Sequence, residues 1–68
     1  MNTLDARGLS CPEPVIMIRK AMMSKESQYT MIVDNPTSKE NVMRYAEHQG
    51  YSVIIEERDS EYTLLMQK

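Results

Sequence analysis

The chain has 68 residues, 41% of them hydrophobic, with a net charge of −2 and a pI of about 5.2. That length bounds a single domain, which buries only about 60% of its unfolded surface and can still fold alone. The charge balance excludes the clustered basic surface of a strong nucleic-acid or anionic-membrane binder, and no apolar run approaches the ~20 residues of a membrane span.

The N-terminus lacks the basic-then-apolar pattern of a secretory signal. One cysteine and one histidine supply neither a disulfide framework nor the ligands of a structural zinc site. No metal and no cofactor are therefore expected, and a reducing, cytoplasmic home fits best. With tryptophan and phenylalanine absent, four tyrosines and seven methionines carry the bulk of the core.

In chain order, Asn2 to Ala6 reads as a short first strand with Leu4 and Ala6 on one face. Arg7-Gly8-Leu9-Ser10 connects it to a helix from Pro12 to Ser24, and Gly8 permits a tight turn. Val15, Ile18 and Met22 recur at i, i+3 and i+7, an apolar face widened by Ile16 and Ala21. After the polar loop Lys25 to Gln28, the β-rich run Tyr29 to Val33 predicts a second strand, stopped by Asp34-Asn35-Pro36. Thr37 and Glu40 fit a capping box. They open a second helix that runs to Gln49, with Val42, Tyr45 and Ala46 as its apolar stripe and Gly50 just past its end.

Tyr51 to Glu57 is a third strand and Glu61 to Gln67 a fourth, in which Tyr62, Leu64 and Met66 alternate with Thr63, Leu65 and Gln67. The three-residue connection Arg58-Asp59-Ser60 predicts an antiparallel hairpin. The preceding βαβ units predict parallel neighbours joined by right-handed crossovers. The sum is an α+β fold, a two-layer α/β sandwich of order βαβαββ. Its four-stranded mixed sheet carries two helices on one face, in one domain over residues 1–68. Ile32, Ile54 and Leu65 alternate against inward positions and fall on the other, uncovered face.

The chemistry concentrates at Leu9-Ser10-Cys11-Pro12-Glu13-Pro14. Proline is costly inside a helix but tolerated in its first turn, where the N–H groups have no intrahelical partner. Pro12 at the first helical position makes Cys11 the N-cap, held extended by the proline after it. The helix dipole there stabilises a thiolate, so the Cys11 pKa is expected below about 8.5. Pro14 offers no N–H, which leaves Glu13 as the main backbone donor to the sulfur, while the Glu13 carboxylate opposes the thiolate. Asp34 and Asn35 form a turn at the C-terminal end of the second strand, on the sheet edge that also holds the Cys11 loop. Ligands collect at such edges. Arg7 is either a solvated loop residue or a guide for an anionic group near the sulfur. His48, near the far end of the second helix, reads as a solvated helix residue, and a Cys–His dyad is not expected.

The stretch from Leu4 to Pro14, with its Cys-Pro-x-Pro core after a Leu-Asp-x-x-Gly lead-in, resembles the signature of the TusA-like (SirA-like) sulfur-carrier family. The turn Asp34-Asn35-Pro36-Thr37 resembles a second block of that family, and the resemblance spans the whole chain. It implies a βαβαββ sandwich and a sulfurtransferase activity in which the family's cysteine, here Cys11, carries a persulfide. It also implies a cysteine desulfurase or other persulfide donor and a downstream sulfur-acceptor protein as partners, while the charge balance and the short apolar runs point to no direct nucleic-acid contact and no membrane. A monomer is expected.

The second helix lacks the aromatic residue and Gly-His ending of members that serve tRNA thiolation. Its Glu40-Asn41-Val42-x-Arg44-x-Ala46 pattern is more similar to the selenium-metabolism branch, whose members usually carry a further domain. The competing reading is a non-catalytic interaction or redox-sensing module that docks through the uncovered sheet face, or the N-terminal domain of a larger selenium-metabolism protein.

Overall fold

The computed structural model describes residues 3–10 and 12–68. The elements are β1 (Thr3–Asp5), α1 (Glu13–Met22), β2 (Gln28–Val33), α2 (Pro36–His48), β3 (Ser52–Arg58) and β4 (Glu61–Gln67). The βαβαββ order and the mixed four-stranded sheet are as the sequence predicts, and the sheet order is β1-β2-β4-β3.

β1 and β2 are parallel neighbours, with Leu4 opposite Met31. The second crossover departs from expectation. β2 and β3 do not touch as neighbours, because β4 inserts between them and pairs antiparallel with both. Burial explains the insertion. Leu64 and Met66 on β4 are fully buried, so β4 belongs at the centre. β3 carries Glu56, Glu57 and Arg58 at its exposed end, and charge of that kind protects an open sheet edge.

One face of the sheet meets both helices. Tyr29, Met31 and Val33 of β2 and Leu64 and Met66 of β4 join Ile18 of α1 and Val42 and Ala46 of α2 in a single buried cluster. Fully burying a side chain of this size contributes roughly 1.5–3 kcal/mol. The opposite face stays uncovered by the described residues. Ile54 is 61% exposed and lies opposite Leu65 in the β3–β4 register, with Ile32 half-buried on the same side.

Both helix starts lie at different residues from those expected. α1 begins at Glu13, so Pro12, not Cys11, is its flanking N-cap residue, and Pro14 stands at the second helical position. The reason is in the backbone bonds: the Ile16 N–H donates to the Pro12 carbonyl at 3.0 Å, closing the first turn there. α2 is capped by Asn35, not Thr37. Asn35 is extended (φ −151°, ψ 152°), and its side chain accepts from the Ser38 N–H at 2.7 Å. Pro36 decides this outcome, since it suits the first helical position and holds its predecessor extended.

The end of α2 matches the reading of Gly50. With φ +90°, Gly50 donates its N–H to the Glu47 carbonyl while the Tyr51 N–H reaches the Ala46 carbonyl, each at 3.0 Å, the paired bonds of a Schellman stop. The β3–β4 connection is shorter than expected. Arg58 pairs directly with Glu61, leaving Asp59 and Ser60 as a two-residue turn with φ of 53° and 66°. Positive φ at both positions is what a tight hairpin that matches strand twist requires.

Candidate functional site

Cys11 and its expected helix-cap environment lie outside the described residues; the segments on either side are described. On the upstream side, the Ala6 N–H donates to the Ile32 carbonyl at 2.8 Å, carrying the β1–β2 pairing one residue past the strand. The chain then turns at Gly8, whose φ is +79°. Its N–H donates to Asp34 Oδ2 at 2.7 Å. The other carboxylate oxygen accepts from the Asn35 amide at 3.4 Å, and Asn35 is the residue that caps α2. Asp34 and Asn35 therefore tie the β1–α1 loop to the start of α2. This junction sits at the C-terminal ends of two parallel strands, the edge where α/β folds gather ligands.

On the downstream side, Pro12 and Glu13 are exposed and Pro14 is buried. Leu9 packs against the core, so apolar anchors at Leu9 and Pro14 bracket the exposed Ser10, Pro12 and Glu13. The Glu13 N–H, the backbone donor expected for the sulfur, donates to the Ser10 carbonyl at 2.9 Å. Neither neighbouring proline has an N–H to replace it. The Glu13 carboxylate lies in the first turn of α1, where the helix dipole favours an anion.

Arg7 takes a different place from the guide considered for it. Its guanidinium meets Asp5 in a bidentate pair, Nε to Oδ1 at 2.9 Å and Nη2 to Oδ2 at 2.8 Å, and reaches Glu61 Oε2 at 3.5 Å. The hydrogen bonds and charge of Arg7 hold the Asp5 carboxyl down at about 2. The cation of Arg7 is thus engaged by carboxylates on β1 and β4.

The residues from Pro12 onward open onto a groove of about 500 Å³ between the helices. Pro12 and Val15 line it from the α1 side, and Asn41, Arg44, Tyr45, His48 and Gln49 from the α2 side. Arg44 Nη1 donates to Asn41 Oδ1 at 3.3 Å. His48 is exposed, as expected of a solvated helix residue, yet it shares this groove with Pro12. The sequence reading missed the stripe. Its signal was present, because Asn41, Arg44, Tyr45 and His48 follow i, i+3, i+4, i+7 spacing and so share one helix face. Among the described residues, no cluster of three or more His, Cys, Asp or Glu side chains is placed to hold a metal ion, and no helix is long and apolar enough to cross a membrane.

Comparison with known proteins agrees with this architecture. Residues 2–68 match the family model described as Sulfurtransferase TusA. A protein of Methanocaldococcus jannaschii whose name assigns it the role of sulfur carrier is 32% identical over 71 residues, covering 100% of this chain and 95% of its own. The crystal structure of a SirA-like protein from Desulfitobacterium hafniense superposes with a TM-score of 0.89 at 35% identity, covering 98% of this chain and 96% of that one.

Proposed function

The chain belongs to the Sulfurtransferase TusA family, and we propose that it works as a sulfur carrier that holds sulfane sulfur as a persulfide on Cys11. The observation that carries this reading is that the chain has one cysteine. A persulfide forms on a thiol, so a persulfide carrier of this sequence can load at Cys11 alone.

Loading is thiol–persulfide exchange. The Cys11 thiolate attacks the outer sulfur of a donor R–S–SH, a new S–S bond forms at Cys11, and the donor S–S bond breaks. The bonding pair leaves with R–S⁻. Delivery repeats the step with Cys11 as the leaving thiolate. The donor is a cysteine desulfurase or another persulfide-bearing protein and the acceptor is a downstream protein, in a cytoplasmic, reducing setting where a free thiol persists. The Glu40–Ala46 pattern supports a place near the selenium-metabolism members of the family.

In this reading each supporting residue acts through the chain. Pro12 and Pro14 limit the conformations of the segment that bears the thiol. Asp34 holds Gly8, Asn35 couples that hold to α2, and Arg7 anchors the start of the loop through Asp5. Glu13 sets a negative charge beside the site and discourages a permanent thiolate.

Incubation with a cysteine desulfurase and free cysteine should add one sulfur to the mass of the protein, on the Cys11 peptide. No adduct on the wild type, or an equal adduct on Cys11→Ser, overturns the proposal. The competing reading as an interaction module draws on one observation, the Ile54–Leu65 pair on the uncovered sheet face. It would be favoured if Ile54→Asp abolished partner binding while Cys11→Ser changed nothing.

A further inference from the structure

We propose that the uncovered sheet face docks a basic amphipathic helix of a partner protein. The apolar side of that helix lies over Ile54 and Leu65, and a lysine or arginine of it enters an acidic cleft at the β3–β4 hairpin. The inference goes beyond the carrier reading and uses a surface that does not include Cys11.

Strand alternation defines the surface. Met31, Leu64 and Met66 point into the core, so Ile32 and Leu65 beside them point the other way. Ile54 does the same between Val53 and Ile55, which pack against the core. Leu65 lies opposite Thr30 on one side and Ile54 on the other, and the apolar strip thus crosses β2, β4 and β3. Three strands at about 4.8 Å spacing make it roughly 10 Å wide, close to the diameter of one helix. The apolar face of a sheet is stabilised when another layer covers it. A strip this narrow fits a transient contact at the small end of protein interfaces.

Charge selects the partner. Where the strip meets the hairpin, a cleft of about 550 Å³ is lined by Glu56, Glu57, Arg58, Asp59, Glu61 and Thr63. Glu56 and Thr63 pair in register and are the next outward positions after Ile54 and Leu65, so cleft and strip form one continuous surface. Four carboxylates there face one guanidinium. Glu61 is reached by Arg7, while Glu56, Glu57 and Asp59 make no ion pair among the described residues. Protection of an open edge accounts for charge on β3. It does not account for Glu61 on the interior strand β4, or for one sign prevailing. Such a cleft attracts a cationic partner and repels an acidic one. A second copy of this chain would bring an acidic cleft of its own to the same face.

The test is an NMR titration of the full chain with two synthetic amphipathic helical peptides, one of leucine and lysine and one of leucine and glutamate. The lysine peptide should bind saturably and shift the amide signals of Ile54, Glu56 and Leu65. The glutamate peptide should bind at least about tenfold more weakly at low salt. Ile54→Asp separates docking from simple charge attraction. It adds a negative charge, so attraction alone would tighten binding of the lysine peptide, whereas loss of the apolar contact should weaken it about tenfold. Ile54→Thr keeps a β-branched residue in the strand and should weaken binding in the same direction. Glu56→Gln combined with Glu57→Gln should weaken it about fivefold, and Glu47→Gln on α2 should leave it unchanged. Shifts confined to the helices, equal affinity for the two peptides, or Ile54→Asp protein that binds as tightly as the wild type overturns the proposal. Sedimentation that finds a dimer dissociated by Ile54→Asp also overturns it and assigns the face to a second copy. Persulfide loading on Cys11 is read separately, so failure of the docking surface and failure of the carrier reading are distinguishable.

Discussion

Asp5 and Arg7 form a single exposed pair at the start of the β1–α1 loop. The bidentate geometry favours the ionised carboxylate, and Asp5 titrates at about 2, well below the ordinary value of about 3.9. A depressed folded-state pKa contributes stability that is fully present above the unfolded value and is lost as pH falls through the folded one. The contribution of Asp5 should therefore fade between about pH 4 and pH 2. Because the pair is exposed, its effect is best read at the residue itself. In Arg7→Gln, a carboxyl-carbon NMR titration should find the Asp5 midpoint moved up toward about 3.9. A midpoint left near 2 would show that Arg7 is not the cause. At this scale the sequence was informative about residue types and less so about their partners. Arg7 stood out as a charged residue near the thiol; its partner Asp5 is only two residues away, but its reach to Glu61 depends on β4 lying beside β2, which no local pattern around Arg7 encodes.

The elements follow their sequence signals closely, and the differences sit where two signals compete. Thr37 with Glu40 and Asn35 with Pro36 are rival starts for α2. The proline settles the contest, because it preorganises the first helical position and leaves Asn35 free to accept from Ser38. The start of α1 shifts by one residue for a related reason, since the Pro12 carbonyl already accepts the first helical bond.

The connection from α1 into β2 depends on a buried phenol. Tyr29 is 1% exposed. Its hydroxyl donates to the Ala21 carbonyl at 2.8 Å and accepts from the Glu26 N–H at 3.0 Å. Its ring packs 5.8 Å from that of Tyr51, whose hydroxyl donates to the Glu26 carbonyl at 2.6 Å. Tyr29→Phe keeps the ring and removes both hydrogen bonds of the hydroxyl, so denaturant unfolding should show a loss of about 1–3 kcal/mol. A loss below about 0.5 kcal/mol, the range of ordinary surface substitutions, would mean that water replaces the hydroxyl without penalty.

For the whole molecule, the fold class and element order were legible because each strand and helix carries its own period. Strand order was not. Connection length permits β3 beside β2, and the full burial of Leu64 and Met66 on the helix-covered face is what places β4 between them. The groove was equally hidden, because it depends on how α1 and α2 lie against one sheet face, a relation that neither helix carries alone. The tie from Gly8 to Asp34 is long-range in the same sense, joining the loop before the thiol to the turn after β2. The central proposal is that Cys11 carries sulfur in transit, and its most direct measurement is the mass of the Cys11 peptide from protein isolated from cells after rapid alkylation. A fraction of that peptide carrying one additional sulfur is the predicted result. A peptide found solely as the plain thiol, or as a mixed disulfide with no sulfane sulfur, would contradict it.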